Sequence, residues 1–477
     1  MSLAAGFARF ALGLSAAAFA QPADAAASLD SLRIDTYRFG PFGPVVVYRY
    51  REHPARVALF VSGDGGWNLG VVEMAKELAT MDALVVGIDI RRYLKALEGS
   101  KQPCSYPAGD LEELSQWIQH KLGYPRYTQP LLVGYSSGAT LVYAALVQAP
   151  PATFAGGLSL GFCPLIRTAR LFCKGSGPAS SMDPRTRSVR VAPADSVRTP
   201  WTVLQGEADS SCTAADAVAF VRRARDARIV LLPEVGHGFG VEPRWRQPMR
   251  DAFQTLARST VATSPLTAPE IRDLPLVELR SRPGSRDLAV VISGDGGWAS
   301  IDKQIGESLA AAGVPVVGLN SLHYFWKART PEQASADLTR ILRHYLSAWH
   351  ASDVVLVGYS RGADVLPFMT ARLPEDLRGR VRLVALVGLS RRAGFEFHFA
   401  DLFRGENRTD RPTVPEIQRL RGIRLLCVYG ADEEDSACRD LPRNLAVEVE
   451  LPGGHHFGGA YRAVAGRILQ MIRPTEE

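Results

Sequence analysis

Two stretches of the chain repeat one pattern of apolar and polar positions. Residues 57–62 and 288–293 are unbroken apolar runs closed by a serine, the pattern of a strand covered on both faces. A run at 45–50 can form a strand ahead of the first. Helical periodicity follows at 71–81, then apolar runs at 83–88 and 131–135. Between those, residues 110–122 place Leu111, Leu114, Ile118 and Leu122 on one helical face. Residues 138–148 read as the next helix, and strands at 201–205 and 229–232 complete the first half. The second half repeats the order, with strands at 314–319, 354–359, 383–389, 425–429 and 446–451. Strands alternating with helices predict a mostly parallel sheet flanked by helices, built twice. Residues 259–275 are rich in Ser, Thr and Pro and lack periodicity, so they mark the boundary. The expected division is a first domain over 28–262, a linker over 263–275 and a second domain over 276–477.

The length of 477 residues agrees with two domains. The net charge of +6 describes a mildly basic surface, suited to an anionic membrane surface. No Lys/Arg run is long enough to suggest a nucleic-acid partner. Arg9 precedes an alanine-rich apolar stretch at 10–20, and small residues recur at Ala18, Ala20, Ala25 and Ala27. This predicts a secretory signal over 1–27, with cleavage after Ala20 or Ala27. No later stretch is apolar enough to span a bilayer. Six cysteines fit an exported, oxidising compartment. Cys427 and Cys438 are alone in the second half and are expected to pair. For the first half the expected pairs are Cys163–Cys173 and Cys104–Cys212. No C-x-x-C occurs, and neither a metal nor an organic cofactor is implied.

The chemistry also comes in two copies. G-Y-S-S-G surrounds Ser136 and G-Y-S-R-G surrounds Ser360, each after a buried strand and ahead of a helix. That context makes G-x-S-x-G a nucleophile turn. A serine nucleophile needs a histidine base held by an acid. His237 in G-H-G-F-G and His455 in G-H-H-F-G-G follow late strands, and the aligned Phe239 and Phe457 favour His455 over His456. In the first half the acid is Asp209, in Q-G-E-A-D after a strand. In the second, G-A-D-E-E-D-S-A-C offers several carboxylates. Aligning D-S-A-C with Asp209-Ser210-Ser211-Cys212 selects Asp435, whereas counting from the glycine selects Asp432 or Glu433. Asp435 is preferred, with Asp432 next. S-G-D-G-G-W, at 62–67 and 293–298, sits where hydrolases of this architecture supply an oxyanion donor. Gly65 and Gly296 are the expected donors, together with the N–H groups after the nucleophiles, Ser137 and Arg361. Asp64 and Asp295 would orient that loop, and Trp67 and Trp298 read as core packing.

S-G-D-G-G-W with G-Y-S-R-G-A-D-V-L-P-F and G-G-H-H-F resembles the VirJ/AcvB family of bacterial virulence proteins. The two-domain AcvB form resembles nearly the whole mature chain, and the VirJ-like part covers about residues 273–477. The resemblance implies two tandem α/β-hydrolase domains, a periplasmic location and serine-dependent hydrolysis of the aminoacyl ester of lysyl- or alanyl-phosphatidylglycerol. It implies Ser360 as nucleophile, His455 as base and Asp435 or Asp432 as acid. An aminoacylated phospholipid at the membrane surface is the expected substrate, and type IV secretion components are the other partners implied. Glu433 and Glu434 are expected to pair with the substrate ammonium, and Phe395, Phe397, Phe399, Leu402 and Phe403 to offer apolar surface to the lipid. A general carboxylesterase or lipase, and a non-enzymatic secretion adaptor, are the competing readings.

Overall fold

The computed structural model describes residues 31–99, 104–150, 153–173, 179–183, 185–186, 188–240, 242–258, 268–282, 284–298, 300–396 and 410–472. The expected signal segment lies outside them. The first half contributes eleven strands: β1 (Arg33–Phe39), β2 (Gly43–Arg49), β3 (Arg56–Val61), β4 (Ala83–Ile88), β5 (Leu131–Tyr135), β6 (Gly156–Leu160), β7 (Leu165–Arg167), β8 (Ser180–Asp183), β9 (Ser188–Val191), β10 (Ser196–Gly206) and β11 (Arg225–Leu232). Eight of them form one sheet in the order β1-β2-β4-β3-β5-β6-β10-β11. Only the β1 and β2 pairings are antiparallel.

The second half follows with β12 (Leu276–Leu279), β13 (Asp287–Ile292), β14 (Val316–Leu319), β15 (Asp353–Tyr359), β16 (Val381–Val387), β17 (Arg392–Ala393), β18 (Arg411–Pro412), β19 (Arg424–Gly430) and β20 (Val447–Leu451). Its seven-stranded sheet runs β12-β14-β13-β15-β16-β19-β20, parallel except at β12. These are two α/β-hydrolase-type sheets, as the repeated pattern predicts.

The unbroken apolar runs have a direct cause. In β3, Val57, Leu59 and Val61 point into one core layer while Ala58 and Phe60 point into the other. In β13, Leu288, Val290 and Ile292 oppose Ala289 and Val291 in the same way. Helices cover both faces, so the positions from Val57 to Val61 and from Leu288 to Ile292 are all apolar and buried. The tryptophans of S-G-D-G-G-W close the sheet top: a Cβ on Gly87 would strike the Trp67 ring, and one on Gly318 the Trp298 ring.

Between residues 180 and 200 lie β8, β9 and the start of β10, and β9 bridges β7 and β8 into a small antiparallel sheet. Two expectations need correction. The end of the expected linker is docked: Ile271 and Leu274 are buried in the second core, and Arg340 binds the Glu270 carbonyl and Asp273. The first-half disulfides are Cys104–Cys173 and Cys163–Cys212, with Cys427–Cys438 as expected. Backbone pairing explains the exchange. Cys104 and Cys173 flank the parallel Ser105–Phe172 bridge, where the Cys173 N–H donates to the Ser105 carbonyl at 2.9 Å, while Cys163 and Cys212 follow the adjacent strands β6 and β10.

The halves also meet. Trp326, in the segment after β14, is buried in the core layer of the first half, with its ring centroid 5.5 Å from that of Tyr127. Its indole N–H donates to the Tyr124 carbonyl at 2.7 Å. No helix among the described residues is long and apolar enough to cross a membrane.

Candidate active sites

Each nucleophile turn forces its serine into a conformation that side chains avoid. Ser136 has φ 55° and ψ −120°, and Ser360 has φ 52° and ψ −122°. The flanking glycines make this turn possible. A Cβ on Gly134 would strike the Gly138 carbonyl, and one on Gly138 the Val61 carbonyl; Gly358 and Gly362 stand the same way against Gly362 and Ile292. The strain is held by strand pairing, because Ser136 N–H donates to Leu160 O at 2.9 Å and Ser360 N–H to Val387 O at 2.8 Å.

In the first site, Ser136 Oγ lies 2.9 Å from His237 Nε2, and His237 Nδ1 lies 2.8 Å from Asp209 Oδ2. Asp209 is buried and fully engaged. Its Oδ2 also accepts from Gln205 Nε2 at 3.0 Å, and its Oδ1 accepts the N–H groups of Ser211 at 2.9 Å and Cys212 at 2.8 Å. Gln205 further binds the Cys212 carbonyl and the Phe162 N–H. Asp209, Cys212 and His237 are close enough to suggest a metal site. The Cys212 sulfur is in a disulfide and the other two bind each other, so this donor set is already occupied.

In the second site, Ser360 Oγ lies 2.9 Å from His455 Nε2. The carboxylate on His455 Nδ1 is Glu433, not Asp435 or Asp432. Glu433 Oε2 also accepts the Gly430 N–H at 2.9 Å. Burial decides among the candidates: the Glu433 side chain is 12% exposed, whereas Asp432, Glu434 and Asp435 face solvent. Glu433 is therefore occupied by the histidine and is not available to a substrate ammonium. Burial alone would raise its pKa, but the His455 and Gly430 hydrogen bonds outweigh that and hold it below the usual carboxylate range. For His455, burial pulls downward, yet Glu433, with Asp364 and Asp295 behind it, leaves the pKa raised. His456 turns to Tyr359, whose hydroxyl is 3.1 Å from its Nδ1.

Several supporting groups carry no signature in the sequence. The tyrosines of G-Y-S anchor the histidine loops: Tyr135 donates to His237 O at 2.9 Å and Tyr359 to His455 O at 3.2 Å. Asp364 is buried, which pushes its pKa up to about 8, and it accepts the Ser390 N–H at 2.7 Å. Arg361 does more than offer its backbone N–H. Its buried guanidinium pairs with Asp295 and donates to the carbonyls of Gly394 at 3.2 Å and Glu396 at 2.8 Å. Ser137 has no such reach.

On that turn, Gly63 and Gly294 are the glycines packed against the nucleophiles; a Cβ on them would lie 2.9 Å and 3.4 Å from the serine Cβ atoms. Gly65 and Gly296 stand farther along, Gly65 with open space beside it and Gly296 next to Glu112. Phe395 is buried against Phe325 and Phe368, so it is core and not lipid-facing surface. Phe397, Phe399, Leu402 and Phe403 lie outside the described residues.

The family model for a bacterial virulence protein (VirJ) matches residues 55–166 and 286–476. Among curated proteins, none matches the chain. Similar solved structures include a dienelactone hydrolase from Anabaena variabilis, 15% identical, covering 48% of this chain and 99% of that one with a TM-score of 0.35. A putative dienelactone hydrolase from Klebsiella pneumoniae is 16% identical, with 48% and 99% covered and a TM-score of 0.34. An esterase domain from Rhodothermus marinus is 15% identical, with 48% and 98% covered and a TM-score of 0.33.

Proposed function

The chain belongs to the VirJ family of bacterial virulence proteins, and from that premise we propose that it is a periplasmic serine esterase that cleaves the aminoacyl ester of lysyl- or alanyl-phosphatidylglycerol. The observation that carries the esterase reading is the hydrogen-bonded line Ser360–His455–Glu433 on a strained nucleophile turn.

The steps follow from that geometry. His455 Nε2 takes the Ser360 proton as Oγ attacks the ester carbonyl. Glu433 keeps the other imidazole proton on Nδ1 and stabilises the imidazolium. The oxyanion is held by the Arg361 N–H at the helix start and by an N–H group at 295–296 of the turn, the Gly294 N–H being engaged by Asp302. His455 then protonates the departing glycerol oxygen, and water, activated by the same histidine, releases the amino acid. Ser136, His237 and Asp209 can run the same cycle in the first domain.

Three disulfides and the mildly basic net charge support an exported protein working at an anionic leaflet. A general carboxylesterase would use the same triads, and a secretion adaptor would need neither. The test is hydrolysis of lysyl- and alanyl-phosphatidylglycerol by wild type, Ser136→Ala, Ser360→Ala and the double variant. Loss with Ser360→Ala is expected. Aminoacyl-lipid turnover that survives the double change would sink the assignment.

A further inference from the structure

With Glu433 bound to His455 and Glu434 in solvent, an ammonium on the substrate needs another partner. The helix Pro107–Lys121 of the first domain brings one. Glu112 Oε1 lies 3.8 Å from where a Cβ on Gly296 would be, directly beside the second domain's oxyanion turn. That turn is tight, closed by the Gly297 N–H donating to Gly294 O at 3.0 Å. Gly294 at one end of it packs on Ser360, and Gly296 near the other packs on Glu112. Nucleophile and foreign carboxylate thus face the same short turn.

Glu112 is poorly satisfied where it stands. Among the described residues its one hydrogen bond, from Gln116 Nε2, is 3.5 Å long, and it forms no ion pair with arginine or lysine. Burial, and then the neighbouring Glu113, push its pKa up to about 8; Glu113 is pushed up to about 7 by burial and Asp110. A half-buried carboxylate without a cation is costly, and an incoming ammonium removes that cost. The first site has a different arrangement: the Arg91 guanidinium lies on its turn at Gly66, neutralised by Asp89.

We propose that Glu112 of the first domain is a specificity residue of the second domain's active site, binding the ammonium of an ester whose carbonyl sits at Ser360. This rests on Ser360 being the nucleophile. It gives the first domain a role in the second reaction whether or not its own triad turns over.

The experiment uses the full chain carrying Ser136→Ala, and two esters that differ only at the chain end: p-nitrophenyl 6-aminohexanoate and p-nitrophenyl heptanoate. The readout is the ratio of their kcat/KM values. Glu112→Gln is expected to lower the amino-to-neutral ratio about tenfold or more. A ratio that stays within about twofold, or a parallel fall on both esters, overturns the proposal. A second measurement needs no change at Glu112: pentylammonium is expected to compete with heptanoate hydrolysis where 1-pentanol at equal concentration does not, and equal inhibition by both overturns it. Hydrolysis of both esters surviving Ser360→Ala overturns the nucleophile reading and this proposal together. Loss of the lipid substrate with the ester ratio intact overturns the lipid alone.

Discussion

Glu433→Gln separates the second site's acid from its decoys. Glu433 offers two acceptor oxygens to two donors, Oε1 to His455 Nδ1 and Oε2 to the Gly430 N–H. Glutamine has one acceptor. If the amide oxygen stays on His455, its NH2 group faces the Gly430 N–H, and an unsatisfied buried donor costs about 1–3 kcal/mol. If the amide flips, NH2 donates to Nδ1 and the imidazole proton moves to Nε2, where it cannot accept from Ser360. The first arrangement's cost favours the second by roughly 5- to 150-fold. Loss of the negative charge behind the imidazolium adds to this. Together they amount to about 10³- to 10⁴-fold in kcat, or about 4–5.5 kcal/mol of barrier. The assay is p-nitrophenyl butyrate hydrolysis in a Ser136→Ala background, with Asp432→Asn and Asp435→Asn alongside. Both asparagine variants are expected to stay within about threefold of the parent, because their carboxylates are solvated. A Glu433→Gln enzyme within about tenfold of the parent, or a larger loss from Asp435→Asn, would refute the assignment.

Two further outcomes follow from the sites. His455 is a base only when neutral and its pKa is raised above 6.5, so kcat/KM through Ser360 should fall on acidification at a pH above that value. Glu433→Gln should move the surviving activity's limb downward, and a limb that does not move contradicts the coupling. Cys163→Ser with Cys212→Ser should impair the first site about tenfold or more, because the Cys212 N–H holds Asp209; Cys104→Ser with Cys173→Ser should change it less than about threefold. Both are read as p-nitrophenyl butyrate turnover in a Ser360→Ala background, and equal losses would count against the clamp.

The tandem fold was legible because buried parallel strands leave no choice of residue: 83–88 and 131–135 were readable to the residue. β6 escaped notice because G-G-L-S-L is not an apolar run. Its glycines make room for Leu146 and Leu256, a packing reason with no periodic signature. The serines and histidines were readable from their glycines. In the second site the cysteine register points to Asp435, whereas the carboxylate on the histidine is Glu433. Asp209 and Glu433 each follow their glycine, Gly206 or Gly430, by the same interval, but the loop from acid to cysteine is longer in the second copy. Counting from the glycine works because the glycine is part of the strand end, whereas loops change length freely. Arg361's hold on 394–396 and Glu112's approach to Gly296 join segments far apart in sequence, and no local pattern encodes them.

Trp326 gives the duplication a direction. By sequence it belongs to the second copy, and by packing to the first, where it stacks near Tyr127 and satisfies the Tyr124 carbonyl. An indole of this size buries surface worth on the order of 5 kcal/mol. The corresponding segment of the first copy instead begins the helix Ile90–Gly99 and packs on its own core. The copies have therefore become plug and socket. A chain cut between them would expose an aromatic ring on one fragment and a vacated slot on the other.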